Sequence, residues 1–295
     1  MTWVLYALLA ATGKAVNQIA TKPLLGSVGV VQISVVGQVL FAAIMLPCVL
    51  WPGLIDIPAD PGFHRAAWIN IVLTVIAIVL IIEAIRVSDL SYAMPFLALS
   101  PMFALLTGWV IMGERVSAVG VAGTVAVALG ALGIGARSAL DWLTLGGKRV
   151  LADRGVRMVI LVAVIYSVSS VYDKEATLRS DPFTYVFYSS IFRALLLLGV
   201  WFVLRALKRV KPVSLRLKKT HLLLLLLLGV SFAGEAVTQM QAMTTGLVAY
   251  VLAIKRLSIL MTSIVGVTLF GEEFTWYRLA GAGLIVFGAA LLGFA

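Results

Sequence analysis

The sequence predicts an all-α membrane protein of ten transmembrane helices, arranged as a 5+5 inverted repeat. Three observations carry that prediction. Of the 295 residues, 62% are hydrophobic and only 12% charged, with mean hydropathy +1.08; a soluble domain is about 45–50% apolar and about a quarter charged. The apolar residues fall into ten segments, each long enough for the ~20 residues that a span needs. Finally, the second half of the chain echoes the first at a fixed offset. This composition excludes a soluble globular protein and a disordered chain. One cysteine, Cys48, excludes an internal disulfide framework. Two histidines, His64 and His221, leave little for His-based metal or nucleophile chemistry, and no cofactor is predicted.

The ten segments run over 2–21, 29–51, 66–86, 90–111, 117–136, 156–176, 183–205, 220–242, 246–270 and 275–294. Span 1 lacks a basic leading region and carries Lys14, Asn17 and Gln18, so it reads as a span rather than a signal peptide. Turn residues punctuate the breaks: Thr21-Lys22-Pro23, Trp51-Pro52-Gly53, Ser88-Asp89, Gly113-Glu114-Arg115, Ser180-Asp181-Pro182, Gly246 and Gly271-Glu272-Glu273. Span 4 contains Pro95 and Pro101, each of which removes a helical hydrogen bond. They predict a hinge or site wall, or a packing kink. Spans 5 and 10 are nearly free of polar residues and carry Gly120, Gly123, Gly130 and Gly133 in one, Gly281, Gly283 and Gly288 in the other. Small residues let helices approach closely, which predicts packing helices and a homodimer contact through them.

The repeat is read without gaps. An offset of 158 sets Ala84 on Ala242, Tyr92 on Tyr250, Ser100 on Ser258 and Gly113-Glu114 on Gly271-Glu272. The halves are 1–136 and 156–295, joined by a loop at 137–155. Five spans is an odd number, so the second copy enters the membrane in the opposite sense. That is the plan of secondary transporters, with a substrate site near the midplane between the halves.

Polar residues inside spans are costly and usually face the protein interior or a water-filled cavity. Here they form stripes at helical spacing. Span 1 has Lys14, Asn17, Gln18 and Thr21; span 2 has Gln32 and Gln38; span 6 has Tyr166, Ser169, Ser170, Asp173 and Lys174. Span 7 has Tyr185, Ser189 and Arg193; span 8 has Ser231, Glu235, Thr238 and Gln239; span 9 has Lys255, Arg256, Ser258 and Thr262. Stripes on so many spans predict a shared polar cavity.

Lys255 and Arg256 lie at least nine residues from either end of span 9, roughly 14 Å deep at ~1.5 Å per residue. They predict either an ion pair, with Glu235 as partner, or a binding site. Glu83 and Arg86 are placed to pair with each other. Within the spans Lys14, Lys174, Arg193, Lys255 and Arg256 outweigh Glu83 and Glu235, with Asp173 and Glu175 cancelling part of the excess. The excess predicts a substrate with negative charge, since an arginine beside a lysine suits phosphate or carboxylate.

These residues resemble a known group. Ser91–Gly135, with Pro95, Pro101 and Gly113-Glu114, and the matching Tyr250–Gly293, with Gly271-Glu272, are similar to the drug/metabolite transporter superfamily in its ten-span EamA-like form. The resemblance covers nearly the whole chain and implies a 5+5 inverted repeat working by alternating access. Ala253-Ile254-Lys255-Arg256-Leu257 is similar to the span-9 Lys-Arg of the triose-phosphate/phosphate translocator branch. Tyr166 through Ala176, with Lys174, is similar to that branch's span-6 lysine stretch. There three cations hold the substrate phosphate, which implies such a role for Lys174, Lys255 and Arg256. The small four-span relatives bind cations through a span-1 glutamate; Lys14 stands in that region here and speaks against a cation–proton exchanger.

The function expected is secondary transport of a small anionic or zwitterionic metabolite, with a lean to phosphorylated organic anions. Lys174, Lys255 and Arg256 would bind its negative group and Tyr166, Tyr250 and Glu235 would orient it, within a site that Lys14 and Arg193 also face. Transport would run by exchange or be coupled to protons, with Glu235 as carrier. The alternative is an exporter of amino acids or amphipathic drugs, with Lys255 and Arg256 as structural ion-pair members. No nucleotide-binding G-x-x-x-x-G-K-[ST] run and no constellation of His, Cys and paired carboxylates supports enzymatic chemistry. The partners expected are the substrate and the lipid bilayer, not nucleic acid, and the place a bacterial inner (plasma) membrane. Odd-numbered loops hold fifteen basic residues and even-numbered loops four. That bias sets both termini outside, whereas the resemblance implies both termini in the cytoplasm.

Overall fold

Aspartates start three of the long helices, each for the same reason. Asp60 accepts from the backbone N–H groups of Gly62 and Phe63, Asp153 from that of Val156, and Asp181 from those of Phe183 and Thr184. Each carboxylate satisfies donors that have no partner inside the helix, and Pro61 and Pro182 occupy first-turn positions where no N–H is needed. The computed structural model describes residues 2–24, 30–88, 93–136, 138–143, 152–207, 219–270 and 275–295. The expected features at Ser91, Tyr92, Gly271-Glu272-Glu273 and most of the basic loop at 205–219 lie outside the described residues.

Every described element is helical. In chain order they are α1 (Thr2–Leu24), α2 (Val30–Met45), α3 (Pro61–Val87), α4 (Ser100–Met112), α5 (Ala118–Gly135), α6 (Ala139–Leu143), α7 (Arg154–Leu178), α8 (Pro182–Ala206), α9 (Lys219–Thr245), α10 (Val248–Lys255), α11 (Leu257–Phe270) and α12 (Trp276–Gly293). Short 3-10 helices at Leu46–Leu50 and Met94–Leu99 extend α2 and precede α4. Among the described residues nine helical runs are long and apolar enough to cross a membrane. The first helix has 23 residues, about 35 Å of rise, but Lys14, Asn17, Gln18 and Lys22 dilute its apolar character.

The outer surface is apolar. Leu222, Leu223, Leu226 and Leu227 on α9 are all exposed, as are Leu106, Trp109 and Val110 on α4. A water-soluble domain does not present such a belt. The three most extensive helix contacts are α5 with α12, α1 with α9, and α3 with α7. The glycine stripes of α5 and α12 meet each other within one chain. A β-carbon on Gly130 would stand 2.5 Å from the Gly281 carbonyl oxygen, and one on Gly281 2.6 Å from that of Gly130. The backbones touch only because neither residue has a side chain. The connecting segment contributes α6, whose Trp142 donates its indole N–H to the Leu129 carbonyl at 2.9 Å. Glu83 and Arg86 pair at 3.3 Å, as their spacing suggests.

Candidate functional site

The ninth apolar segment is not one helix. It divides at Arg256, between α10 and α11. The Arg256 amide donates three residues back, to the Ala253 carbonyl at 2.9 Å, and Ile259 donates to the Arg256 carbonyl at 2.9 Å. The local helix is thus tightened, and no Gly or Pro causes it. In the fourth segment the same effect has a visible cause. Pro95 and Pro101 flank a 3-10 turn over Met94–Leu99, and the α-helix resumes at Ser100. The two interruptions meet: Arg256 Nη2 donates to Ser100 Oγ at 2.5 Å.

Around that junction the second half of the chain supplies most of the charge. Glu235, on α9, is 5% exposed. Its Oε1 lies 2.6 Å from Lys255 Nζ and 3.6 Å from Lys14 Nζ. Its Oε2 accepts from Asn17 Nδ2 at 2.6 Å. Ser231 donates to Asn17, and Lys255 donates to Gln239. One carboxylate therefore gathers two ammonium groups and an amide. Close approach of α1 and α9 makes this reachable, since a β-carbon on Gly13 would stand 3.1 Å from Glu235 Cβ.

Two guanidiniums have no such partner. Arg193, on α8, donates from Nη2 to Asn70 Oδ1 at 3.2 Å. Asn70 is fixed in turn by donating to Ser169 Oγ at 2.7 Å and the Ser169 carbonyl at 3.0 Å. Among the described residues neither Arg193 nor Arg256 makes an ion pair, and the Nε of each is buried without a hydrogen-bond partner. Tyr166, on α7, interacts electrostatically with both arginines and with Glu235. Two turns further along α7, Asp173 accepts from the Tyr185 hydroxyl at 2.5 Å and feels Arg193 and Lys255.

Lys174 and Tyr250 are placed elsewhere. Lys174 donates to Glu114 Oε1 at 2.7 Å and to the Gly246 carbonyl at 2.8 Å, and is 8% exposed. Glu114 also accepts the Val248 N–H at the start of α10, at 3.1 Å on Oε2. This closed set joins α7 to the entrance of α10, apart from the cluster of Lys255 and Arg256. Tyr250 packs its ring against Trp3 and its hydroxyl against Ser117, over Gly120. Sequence reading therefore grouped eight residues. The structure gathers Lys14, Tyr166, Arg193, Glu235, Lys255 and Arg256 and sets Lys174 and Tyr250 aside. It also brings in Asn17, Asn70, Ser100, Asp173 and Gln239. Asn17, Asp173 and Gln239 lay in the polar stripes; Asn70 stood alone in an apolar run and gave no signal.

At the helix ends beside Lys174, further ion pairs form, two between the halves and one (Arg179 with Glu175) within the second half. Arg65 meets Glu175 at 3.0 Å, Arg179 meets Glu175 at 3.2 Å, and Arg179 meets Asp60 at 3.0 Å. The Gly62 N–H, then the Arg179 guanidinium, hold the exposed Asp60 carboxyl below its ordinary range.

The sequence model of the EamA-like transporter family matches residues 1–136 and 153–294. A solved structure described only as "Crystal structure of protein" is similar in fold, with a TM-score of 0.79 at 18% identity over 98% of this chain and 96% of that one. No curated protein matches.

Proposed function

We propose that this chain, which belongs to the EamA-like transporter family, carries a small organic anion across a bacterial plasma membrane by alternating access. It is a multi-pass integral membrane protein by family and by its nine apolar helical runs. A ten-span, 5+5 inverted arrangement is supported by the helix contacts. A two-fold that exchanges the halves turns the α1–α9 pair, spans 1 and 8, into α7–α3, spans 6 and 3; it returns α5–α12, spans 5 and 10, onto itself. The first helix then counts as a span whose Lys14 and Asn17 face Glu235 rather than lipid.

The observation that carries the substrate class is the pair of unmatched guanidiniums. Lys14, Arg193, Lys255 and Arg256 face Asp173 and Glu235, four cations against two carboxylates. Unpaired charge inside a bilayer-spanning protein is costly and marks a substrate path. An oxyanion lying between Arg256 and Arg193 completes both guanidiniums, each through a charge-assisted fork. Tyr166, which interacts electrostatically with both arginines, adds a hydroxyl donor, and phosphate monoesters or carboxylates fit the donor set. Lys174 is left out of this group, because Glu114 and the Gly246 carbonyl already occupy it.

A second reading, export of amino acids or amphipathic compounds with the Lys-Arg pair structural, is favoured by one contact, the Lys255–Glu235 ion pair. It accounts for the lysine and leaves the arginines unexplained. Thermal unfolding of the purified protein against a panel of sugar phosphates, organic acids and amino acids separates the two. Stabilisation confined to the anions is expected, rising with concentration as a ligand bound to the native state demands. Stabilisation confined to neutral or zwitterionic amino acids overturns the anion reading.

A further inference from the structure

We infer that Glu235 takes up a proton together with the substrate, and that Lys255 is the arm that passes between the two. The inference rests on the anion reading above and adds what drives the transport. Lys255 is adjacent in sequence to Arg256, yet in the structure its ammonium belongs to Glu235, at 2.6 Å. It cannot serve the carboxylate and a bound anion equally. An anion at Arg256 draws Lys255 away, leaving Glu235 with Lys14 at 3.6 Å and the Asn17 amide. The bound anion is also a like charge beside the carboxylate. Loss of a counter-ion and gain of a like charge both favour the neutral acid over the carboxylate. The proton comes from water and sits on Oε1. Lys255 leaves the Gln239 carbonyl oxygen as it moves, and Gln239 is one helical turn from Glu235 on α9, so the new O–H gains an acceptor. Asn17 continues to donate to Oε2.

The remaining groups around Glu235 act in the same balance. Lys14 faces it from α1, and Lys255 and Arg256 from the α10 side. Tyr166 faces it from α7, where Asp173 in turn acts on Lys255. The two further helices α2 and α11 carry no charged residue, and α8 brings Arg193, which acts on Tyr166. Coupling of two binding events is reciprocal. A proton that accompanies the anion therefore makes the anion bind more tightly at lower pH, by at most about tenfold per pH unit for one proton. The result is proton–anion symport, in which a pH gradient accumulates substrate.

Infrared difference spectroscopy tests this with glycerol 3-phosphate, a probe with no carboxyl group of its own. Adding the probe to the wild-type protein is expected to raise a protonated-carboxyl band that Glu235→Gln lacks. Glu235→Gln leaves two ammonium groups around a neutral amide, so the charge-balanced double variant Lys14→Met with Glu235→Gln is measured beside it. In liposomes with an inward pH gradient, the wild type is expected to accumulate the probe several-fold and the double variant only to equilibrate it. Probe binding without a new carboxyl band, or accumulation unchanged in the double variant, overturns the coupling and leaves the anion reading standing. No binding of the probe overturns the anion reading and the coupling with it.

Discussion

Lys174 and Arg256 are both cations set inside apolar spans, and the fold treats them in opposite ways. Lys174 is enclosed by a carboxylate and a backbone carbonyl, each within 2.8 Å. Arg256 is held by one neutral hydroxyl and keeps a buried Nε without a partner. The first arrangement is complete and needs nothing further; it ties α7 to the entrance of α10. The second leaves a guanidinium without a counter-ion among the described residues, and the proposed anion would supply one. The difference lies in the counter-charge: Lys174 has one within the chain and Arg256 has none among the described residues.

The contrast can be broken most forcefully at Lys174. Removing one partner of a buried ion pair leaves the other uncompensated, at a cost of about 3–5 kcal/mol. Glu114→Ala or Lys174→Ala is expected to lower the thermal midpoint steeply, read by unfolding in detergent. Removal of both together, as Lys174→Met with Glu114→Gln, is expected to recover much of that loss. Arg256→Gln is expected to leave the midpoint near wild type and to weaken anion binding about tenfold to a hundredfold, the range for a lost hydrogen bond to a charged group. Arg256→Lys restores the charge without the fork and is expected to recover only part of the affinity in the same titration.

A subtler change sharpens the comparison without touching any charge. A β-carbon on Gly108 would stand 2.7 Å from Glu114 Oε2, so Gly108→Ala pushes the carboxylate off Lys174. Overpacking of this kind costs about 1–3 kcal/mol; the midpoint is expected to fall while anion affinity holds. The smallest effect belongs to the exposed pair of Asp60 and Arg179, because surface pairs add little. Asp60 is held below its ordinary range, so whatever it contributes is present above the ordinary carboxylate range and is lost as pH falls through its lowered value. Asp60→Asn is expected to lie slightly below wild type and parallel to it between pH 5 and 8, and to converge with it in acid, where wild type loses the carboxylate's contribution.

How much of this could be read from the sequence follows the range of each interaction. Apolar spans, their aspartate-proline starts and the glycine stripes are local patterns, and the helices of the structure follow them. The span-4 interruption was visible because proline causes it. The interruption at Arg256 has no local cause; it appears where Arg256 reaches Ser100, 156 residues away in sequence. Glu114 stood out as a mark of the repeat, but its partner is 60 residues distant, so only the fold reveals that it claims Lys174. Asn70 was silent because a single amide in an apolar run looks the same whether it anchors an arginine or a neighbouring helix.

Uptake of radiolabelled glycerol 3-phosphate by liposomes holding the wild-type protein, set beside liposomes holding Arg256→Gln, tests the central claim most directly. The account predicts saturable uptake by the wild type and a loss of about tenfold or more in the folded variant, at sub-saturating substrate. Equal uptake by the two, or uptake by neither, would contradict it.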